Sequence, residues 1–232
     1  MTIRFKDRAH AAAELSSQLK SVTNNIRTED KIRTPKEKDK VLIMAIPRGG
    51  VVTADVVAYN LKRKLDIVIS TKIGAPFNSE IDIGAVAHDG SFFPNRKIIN
   101  SLKVPQKYID EQISLELKKI VTRLLKLRGS NQYQIDGKII VLVDDGVCTG
   151  VTMSMAATWV RSQNIEKLII AVPVAPRVAV EKLKEIADIV VVLHASRECE
   201  PVGEFYQYFP EVSDQEVLEI MQKYRVINGK TS

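Results

Sequence analysis

The sequence predicts an α/β fold, a twisted and mostly parallel sheet with helices on both faces. Four apolar blocks lack polar alternation, which is typical of strands that are covered on both faces. They are Val41–Ile46, Ile139–Val143, Ile165–Val172 and Ile189–Leu193. Stretches with helical periodicity separate these blocks, as in parallel strands joined by helical crossovers. With 232 residues, 45% of them hydrophobic, the chain is long enough for one such domain.

The first elements flank the first apolar block. An amphipathic helix is predicted over Phe5–Val22, where alanines and leucines share one face. Thr23–Lys40 is polar and predicts a surface connection. A helix over Val51–Lys64 follows the first strand, and Asp66–Thr71 is predicted to be another strand, which ends at Lys72.

The later elements are a hairpin and several helices. Ala85–His88 and Ser91–Phe93 predict a hairpin around Asp89 and Gly90. Further helices are predicted over Val104–Arg128, Met153–Ser162 and Ala179–Ile186, and from Ser213 onward, where Glu216 completes a capping box.

The most informative stretch is Lys138–Met153, with the sequence KIIVLVDDGVCTGVTM. An apolar strand ends at Asp144 and Asp145, and the loop Gly146–Thr152 then leads into a helix. Unpaired N–H groups at the N-terminus of such a helix form a binding site for a phosphate. Two carboxylates repel that phosphate and instead suit sugar hydroxyls or a divalent metal. The pattern therefore fits a ribose 5-phosphate, while a metal site or a plain helix cap remains the alternative.

A second phosphate candidate follows the first strand. Pro47, Arg48, Gly49 and Gly50 come directly after Val41–Ile46 and precede a helix. Arginine offers a planar fork of donors, and consecutive glycines let the backbone approach a ligand closely. By itself an Arg-Gly-Gly run is more often a tight turn, so its position in the fold decides its meaning.

The two motifs together resemble those of the type I phosphoribosyltransferases. The resemblance implies that Asp144 and Asp145 contact the ribose hydroxyls of phosphoribosyl diphosphate and that the loop after them holds the 5′-phosphate. It also implies that Arg48 and its glycines bind the diphosphate, that Lys72 reaches the phosphates, and that Mg²⁺ is the cofactor. The catalytic residues would be Arg48, Lys72, Asp144 and Asp145, the last two also holding the metal directly or through water.

The full set implied to bind substrate lies in three segments. It comprises Arg48, Gly49, Gly50, Lys72, Asp144, Asp145, Gly146, Val147, Cys148, Thr149, Gly150, Val151 and Thr152. The family also implies a mobile loop after Lys72 and a small hood from the terminal segments. We accordingly expect a single domain over residues 1–232, with a core of about 41–195 and peripheral segments 1–40 and 196–232. The aromatic cluster at 205–209 suits either stacking on a base or anchoring of the tail.

Two positions depart from the better-known members. Members that act on hypoxanthine and guanine carry an aspartate where this chain has Cys148, and Gly146 replaces a branched aliphatic residue. The closest resemblance is to predicted phosphoribosyltransferases with a DDGVxTG loop, for which the motif does not identify the acceptor. We predict that Cys148 is a small side chain that only fills space in the loop, and the alternative is that it is a reactive thiol.

Composition limits the remaining expectations. The net charge of +6 resides between Arg96 and Arg128, where nine basic residues face three acidic ones. A solvated helix face is the simpler reading, and steering of a polyphosphate is the alternative. Two cysteines, a charged N-terminus and the absence of a long apolar run favour a cytoplasmic protein without a membrane span.

The resemblance implies an enzyme of nucleotide metabolism that transfers a phosphoribosyl group to a nucleobase. One alternative is a regulator that senses phosphoribosyl diphosphate and binds nucleic acid, although nucleic acid is not the expected partner. A poorer alternative is an enzyme that releases diphosphate to water. A homodimer is a further expectation. Among the three histidines, only His194 lies at a strand end that faces the predicted site.

Overall fold

The computed structural model describes residues 4–29 and 40–227, which form two compact units. The first unit contains the residues up to 68 and from 134 onward, and the second contains residues 69–133. The expectation of a single domain over the whole chain stays a prediction. Within the described ranges, no helix has both the length and the apolar character that crossing a membrane requires.

The first unit is a five-stranded parallel sheet with helices. Its elements are α1 (Arg8–Glu29), β1 (Val41–Ala45), α2 (Gly49–Leu61), β2 (Lys64–Ile67), β6 (Ile139–Val143), α5 (Val151–Ser162), β7 (Lys167–Pro176), α6 (Arg177–Lys184), β8 (Ile189–Ser196), a 3₁₀ helix (Val202–Phe205) and α7 (Asp214–Ile227). The strand order is β2-β1-β6-β7-β8, and every neighbouring pair is parallel. The predicted α/β fold class is confirmed.

The direction of chain travel reverses between β1 and β6. From β1 the chain crosses through α2 to β2 at one edge, whereas from β6 it passes through α5 to β7 and through α6 to β8 at the other. Because such crossovers are right-handed, α2 lies on one face of the sheet and α5 and α6 lie on the other. Ligands in open α/β sheets bind beyond the strand ends at such a reversal.

The core of this unit follows the apolar blocks. All residues of β1 and β6 are buried, with Ala45 opposite Val143 at their carboxyl ends. The blocks predicted at 165–172 and 189–193 become the longer strands β7 and β8, because backbone pairing continues to Pro176 and Ser196. The predicted cap of α7 is confirmed by a hydrogen bond of 3.1 Å from the Glu216 N–H to Ser213 Oγ.

The second unit is a three-stranded antiparallel sheet with two helices. Its elements are β3 (Ser70–Ala75), β4 (Asn78–Ala87), β5 (Phe92–Pro94), α3 (Arg96–Leu102) and α4 (Gln106–Arg128). The predicted hairpin is confirmed, since Ala85 pairs with Phe93 and Val86 with Phe92. The long amphipathic helix is confirmed as α4, and its Tyr108 hydroxyl donates to the Gly74 carbonyl at 3.1 Å.

Two element predictions are wrong. The predicted strand Asp66–Thr71 is divided between β2, which ends at Ile67, and β3, which begins at Ser70 in the other unit. The helix predicted to end at Val22 continues to Glu29, so the first part of the predicted connection Thr23–Lys40 is helical. Residues 30–39 of that connection lie outside the described residues.

Candidate active site

Two loops meet where β1 and β6 end. The Ile46 N–H donates to the Val143 carbonyl at 3.1 Å, so the strands remain paired up to the point where both loops begin. One loop then passes through Arg48 into α2, and the other passes through the acidic pair into α5. The two motifs therefore lie side by side at the same edge of the sheet.

Gly49 and Gly50 bring the first loop onto the acidic pair. A Cβ on Gly49 would overlap the Asp145 carboxylate. A Cβ on Gly50 would lie 2.6 Å from Asp144 Oδ1 and 2.9 Å from Asp144 Cα, closer than real Cβ contacts allow. These glycines are required by the close approach of the two loops, and each lies in the first turn of α2, where N–H groups lack intrahelical acceptors.

The acidic pair is desolvated and asymmetric. Burial, followed by the nearby charge of Asp145, raises the pKa of Asp144 well above its usual range. Asp145 instead accepts a hydrogen bond of 2.7 Å on Oδ2 from Arg8 Nε, and both side chains are nearly buried. The pair therefore carries less negative charge than two exposed aspartates would, and Arg8 neutralises part of what remains.

The C-terminal tail, which begins at Arg197, contacts the backbone of the acidic pair. The Tyr206 hydroxyl donates to the Asp145 carbonyl. Burial and the charge of Asp145 raise the pKa of Tyr206, so the phenol remains a donor. Tyr206 and Phe205 are buried against Phe5 and Val174. These two aromatic residues therefore anchor the tail, and of the two readings of the cluster, anchoring holds for them.

The loop before α5 presents free backbone donors. The Val147 N–H donates to the Val174 carbonyl at 2.9 Å, which fixes the base of the loop to β7. Among the described residues, no acceptor lies within hydrogen-bond reach of the N–H groups of Cys148, Thr149 and Gly150. Gly150 has a φ of +79° and begins the helix, a conformation that favours glycine. This arrangement suits an anion at the N-terminus of α5.

The glycine after the acidic pair has a structural reason. A Cβ on Gly146 would overlap the side chain of Val202 in the 3₁₀ helix and lie 3.1 Å from Val174 Cγ1. A branched residue would therefore displace the tail from the loop. Gly146 and Val202 are a matched pair in this chain.

Cys148 is joined to Cys199 by a disulfide with a Cα–Cα distance of 4.9 Å. The reading of Cys148 as a filler or a free thiol is therefore wrong, and its partner lies just after β8. The sequence separation of 51 residues offered no local signal for this bond. The disulfide connects the candidate phosphate loop to the segment that begins the tail.

Arg48 is engaged by the tail. Its Nη2 lies 2.6 Å from Glu211 Oε1, while both side chains keep substantial solvent exposure. A carboxylate thus occupies the guanidinium that is predicted to bind diphosphate. The backbone of Arg48 also begins α2, because its carbonyl accepts from the Val51 N–H at 3.0 Å.

Lys72 is placed in the other unit. It lies within β3, where its Nζ is 2.7 Å from Asp82 Oδ2 on β4. The expectation of a lysine at the end of a core strand is wrong, because the core strand ends at Ile67. Its role toward the phosphates stays a prediction. His194 lies on β8 and pairs with Val174 of β7, and its ring centroid lies 5.6 Å from that of Phe205.

The acidic pair offers two candidate ligands for a magnesium ion. Asp144 and Asp145 offer the hard oxygen ligands that Mg²⁺ prefers, although Arg8 already holds one oxygen of Asp145. Within residues 4–29 and 40–227, no group of three or more His, Cys, Asp or Glu side chains could hold a metal by itself. Mg²⁺ in phosphate enzymes commonly uses one or two carboxylates together with substrate phosphates, and this acidic pair suits that role.

A family comparison places this geometry in context. The family model of the phosphoribosyl transferase domain matches residues 18–203. The chain belongs to this family. The predicted family is confirmed, and the matched region includes both loops of the candidate site.

Individual relatives agree with this assignment. Two Mycobacterium tuberculosis proteins with the provisional name phosphoribosyl transferase, Rv0571c of strain H37Rv and MT0597 of strain CDC 1551, are each 29% identical over 220 residues. The match covers 94% of this chain and 46% of each relative, so the chain spans about half their length. The crystal structure of TT1426 from Thermus thermophilus is 33% identical, with a TM-score of 0.77 over 95% of this chain and 99% of that one.

Four side chains near the site were missed by sequence reasoning. They are Arg8, Cys199, Tyr206 and Glu211. Three of them, Arg8, Tyr206 and Glu211, lie outside the region matched by the family model. Each contacts the site across more than 50 residues of sequence, a separation at which residue patterns carry no signal.

Proposed function

We propose that this protein transfers the 5-phosphoribosyl group of phosphoribosyl diphosphate to a nitrogen acceptor, a nucleobase, and releases diphosphate. The observation that carries the proposal is the packing of Gly49 and Gly50 against Asp144 and Asp145. It brings two helix N-termini, each suited to an anion, to one pair of carboxylates suited to hydroxyls. A ribose with a phosphate at C5 and a diphosphate at C1 has this order of groups.

Each part of the substrate then has its own partners. The N–H groups of Cys148, Thr149 and Gly150 donate to the 5′-phosphate. The carboxylates of Asp144 and Asp145 accept from the ribose hydroxyls. Arg48 leaves Glu211 and donates to the diphosphate, together with the first N–H groups of α2.

The reaction breaks the bond between C1 and the diphosphate oxygen and forms a bond between C1 and the acceptor nitrogen, which loses its proton to solvent. Negative charge grows on the leaving group, and Arg48 is placed to stabilise it electrostatically. Positive charge grows on the sugar ring beside the carboxylates of Asp144 and Asp145. Asp144 and Asp145 would hold Mg²⁺, which would supply further neutralisation of the developing negative charge.

The decisive experiment measures diphosphate release from phosphoribosyl diphosphate with Mg²⁺ against adenine, guanine, hypoxanthine, xanthine, uracil and orotate. Turnover that requires one base supports the proposal and identifies the acceptor. Release without any base indicates hydrolysis instead. Binding without turnover, together with retarded migration of DNA or RNA in a gel, indicates a regulator.

Matched variants locate the reaction at this site. Asp144→Asn with Asp145→Asn should lose turnover, whereas Asp188→Asn, which removes an aspartate bound to Arg161 at 2.9 and 3.0 Å, should keep it. Full activity of the double variant would refute the roles given to the acidic pair.

A Lys72→Gln variant tests the predicted phosphate contact, and sedimentation tests the predicted homodimer.

A further inference from the structure

Arg8 connects three parts of the first unit. It is 7% exposed and is the first residue of α1. Its Nε donates to Asp145 Oδ2 and its Nη1 donates to the Pro210 carbonyl, each at 2.7 Å. Its guanidinium carbon lies 3.6 Å from the centre of the Phe209 ring. A buried guanidinium with this many defined contacts has one position.

Arg8 also lies close to the glycine loop, which is the loop formed by Arg48, Gly49 and Gly50. A Cβ on Gly49 would lie 3.2 Å from Arg8 Nε in addition to overlapping the Asp145 carboxylate. Arg8, Asp145 and Gly49 therefore converge at one point. The guanidinium therefore lies between α1 and Asp145, directly beside Gly49.

The carboxylate of Asp145 is left with one oxygen for a ligand. Oδ2 is committed to Arg8, whereas in the described part of the chain no positively charged side chain pairs with Oδ1. The neighbouring carboxyl group of Asp144 is held by the backbone, since the Asp145 N–H donates to Asp144 Oδ1 at 2.9 Å. Arg8 is therefore the positively charged partner that fixes Oδ2 of Asp145.

We propose that Arg8 is a positioning residue, which holds Oδ2 of Asp145 so that Oδ1 is presented to a ribose hydroxyl beside the glycine loop. The inference rests on the proposed phosphoribosyl transfer and adds a residue that lies outside the matched region 18–203. It predicts that Arg8 controls the binding of phosphoribosyl diphosphate and leaves the binding of the acceptor base unaffected.

The test compares Arg8→Ala and Arg8→Lys with wild type in the full chain, using the base that wild type accepts. Arg8→Ala should raise KM for phosphoribosyl diphosphate by about tenfold or more, because a charge-assisted hydrogen bond that orients a ligand group is lost. KM for the base should stay within about twofold of wild type. Arg8→Lys should recover part of the loss, since it restores the charge without the planar fork.

Added guanidinium ion at a concentration that does not denature the protein distinguishes positioning from folding. It should lower the raised KM of Arg8→Ala and leave wild type unchanged. The control Arg161→Ala removes a guanidinium that pairs with Asp188 and should change neither KM.

The KM values of the Arg8 variants support or overturn the positioning role of Arg8. Unchanged KM in Arg8→Ala overturns the proposal, and so does a loss that affects both substrates equally and that neither lysine nor guanidinium relieves. If Arg8→Ala does not fold, the KM values of Arg8→Lys decide in the same way. Failure of wild type to bind or turn over phosphoribosyl diphosphate instead refutes the proposed function, and this inference falls with it.

Discussion

Glu211 places its carboxylate on the guanidinium of Arg48, with 2.6 Å between Oε1 and Nη2. The Glu211 side chain is 81% exposed and that of Arg48 is 43% exposed. An ion pair this open to water contributes little to stability. Its consequence lies in binding, because a diphosphate that uses Arg48 must first displace Glu211.

Replacing Glu211 by glutamine should therefore strengthen substrate binding. We expect KM for phosphoribosyl diphosphate to fall by up to about fivefold, since an exposed ion pair is worth ~1 kcal/mol or less. The melting temperature should not change. Glu204→Gln, which removes another exposed carboxylate of the tail, is the control and should leave KM as in wild type. A higher KM in Glu211→Gln would show that Glu211 assists binding.

Asp144→Asn should stabilise the protein without ligand at neutral pH. Burial and the charge of Asp145 raise the pKa of Asp144 in the folded state, so folding favours the protonated form. The stabilisation of the folded state by protonated Asp144 is fully present at pH values below the pKa of this carboxyl in the unfolded chain. It is lost as the pH rises through the higher pKa that Asp144 has in the folded protein. Urea unfolding with a chelator, measured from acid to neutral pH, should show a free energy of unfolding that depends less on pH in the variant than in wild type. Parallel profiles for both proteins would contradict this expectation.

Gly49→Ala tests whether the close contact between the Gly49 backbone and the Asp145 carboxylate is needed for substrate binding. Its Cβ would overlap the Asp145 carboxylate, so either the loop or the carboxylate must move, at a cost of about 1–3 kcal/mol. We expect a large rise in KM for phosphoribosyl diphosphate, measured by steady-state kinetics. Gly137→Ala is the matched control, because Gly137 has a φ of +64° with no atom within 4 Å of an added Cβ. It should cost stability and leave KM unchanged; equal KM values for both variants would refute the contact argument.

Reduction of the Cys148–Cys199 disulfide should lower the free energy of unfolding. The bond closes a loop of 51 residues, for which chain entropy predicts about 4 kcal/mol. Guanidinium chloride unfolding with and without a thiol reductant measures the loss. The Cys148→Ser variant should be less stable from the start and insensitive to the reductant. Two titratable thiols in the unreduced wild type would show that the bond does not form.

The central strands and the two loops of the candidate site could be predicted because their signals are local. Val41–Ile46 and Ile139–Val143 are continuous apolar runs, and the residues after each belong to motifs with a direct physical meaning. Parallel pairing predicts that both loops lie at the same edge of the sheet, and the structure adds that the two strands are neighbours, with Ala45 opposite Val143.

The boundary between the two sheets could not be predicted in this way. Residues 64–75 contain one apolar run, and nothing in it marks the change from a parallel strand ending at Ile67 to an antiparallel strand beginning at Ser70. The partners of the acidic pair were missed for a different reason. Arg8 resembles any charged residue at the start of a helix, and only the tertiary fold buries it against Asp145.

The hydrogen bond from Tyr206 to Asp145 has a consequence for biosynthesis. The two residues are 61 positions apart, and the aspartate is made first. At a translation rate of about 5–20 residues per second, the acidic pair waits several seconds on the ribosome before its tail partner is synthesised. A nascent chain can therefore form β1 and β6 before the residue that supports the Asp145 backbone has been made.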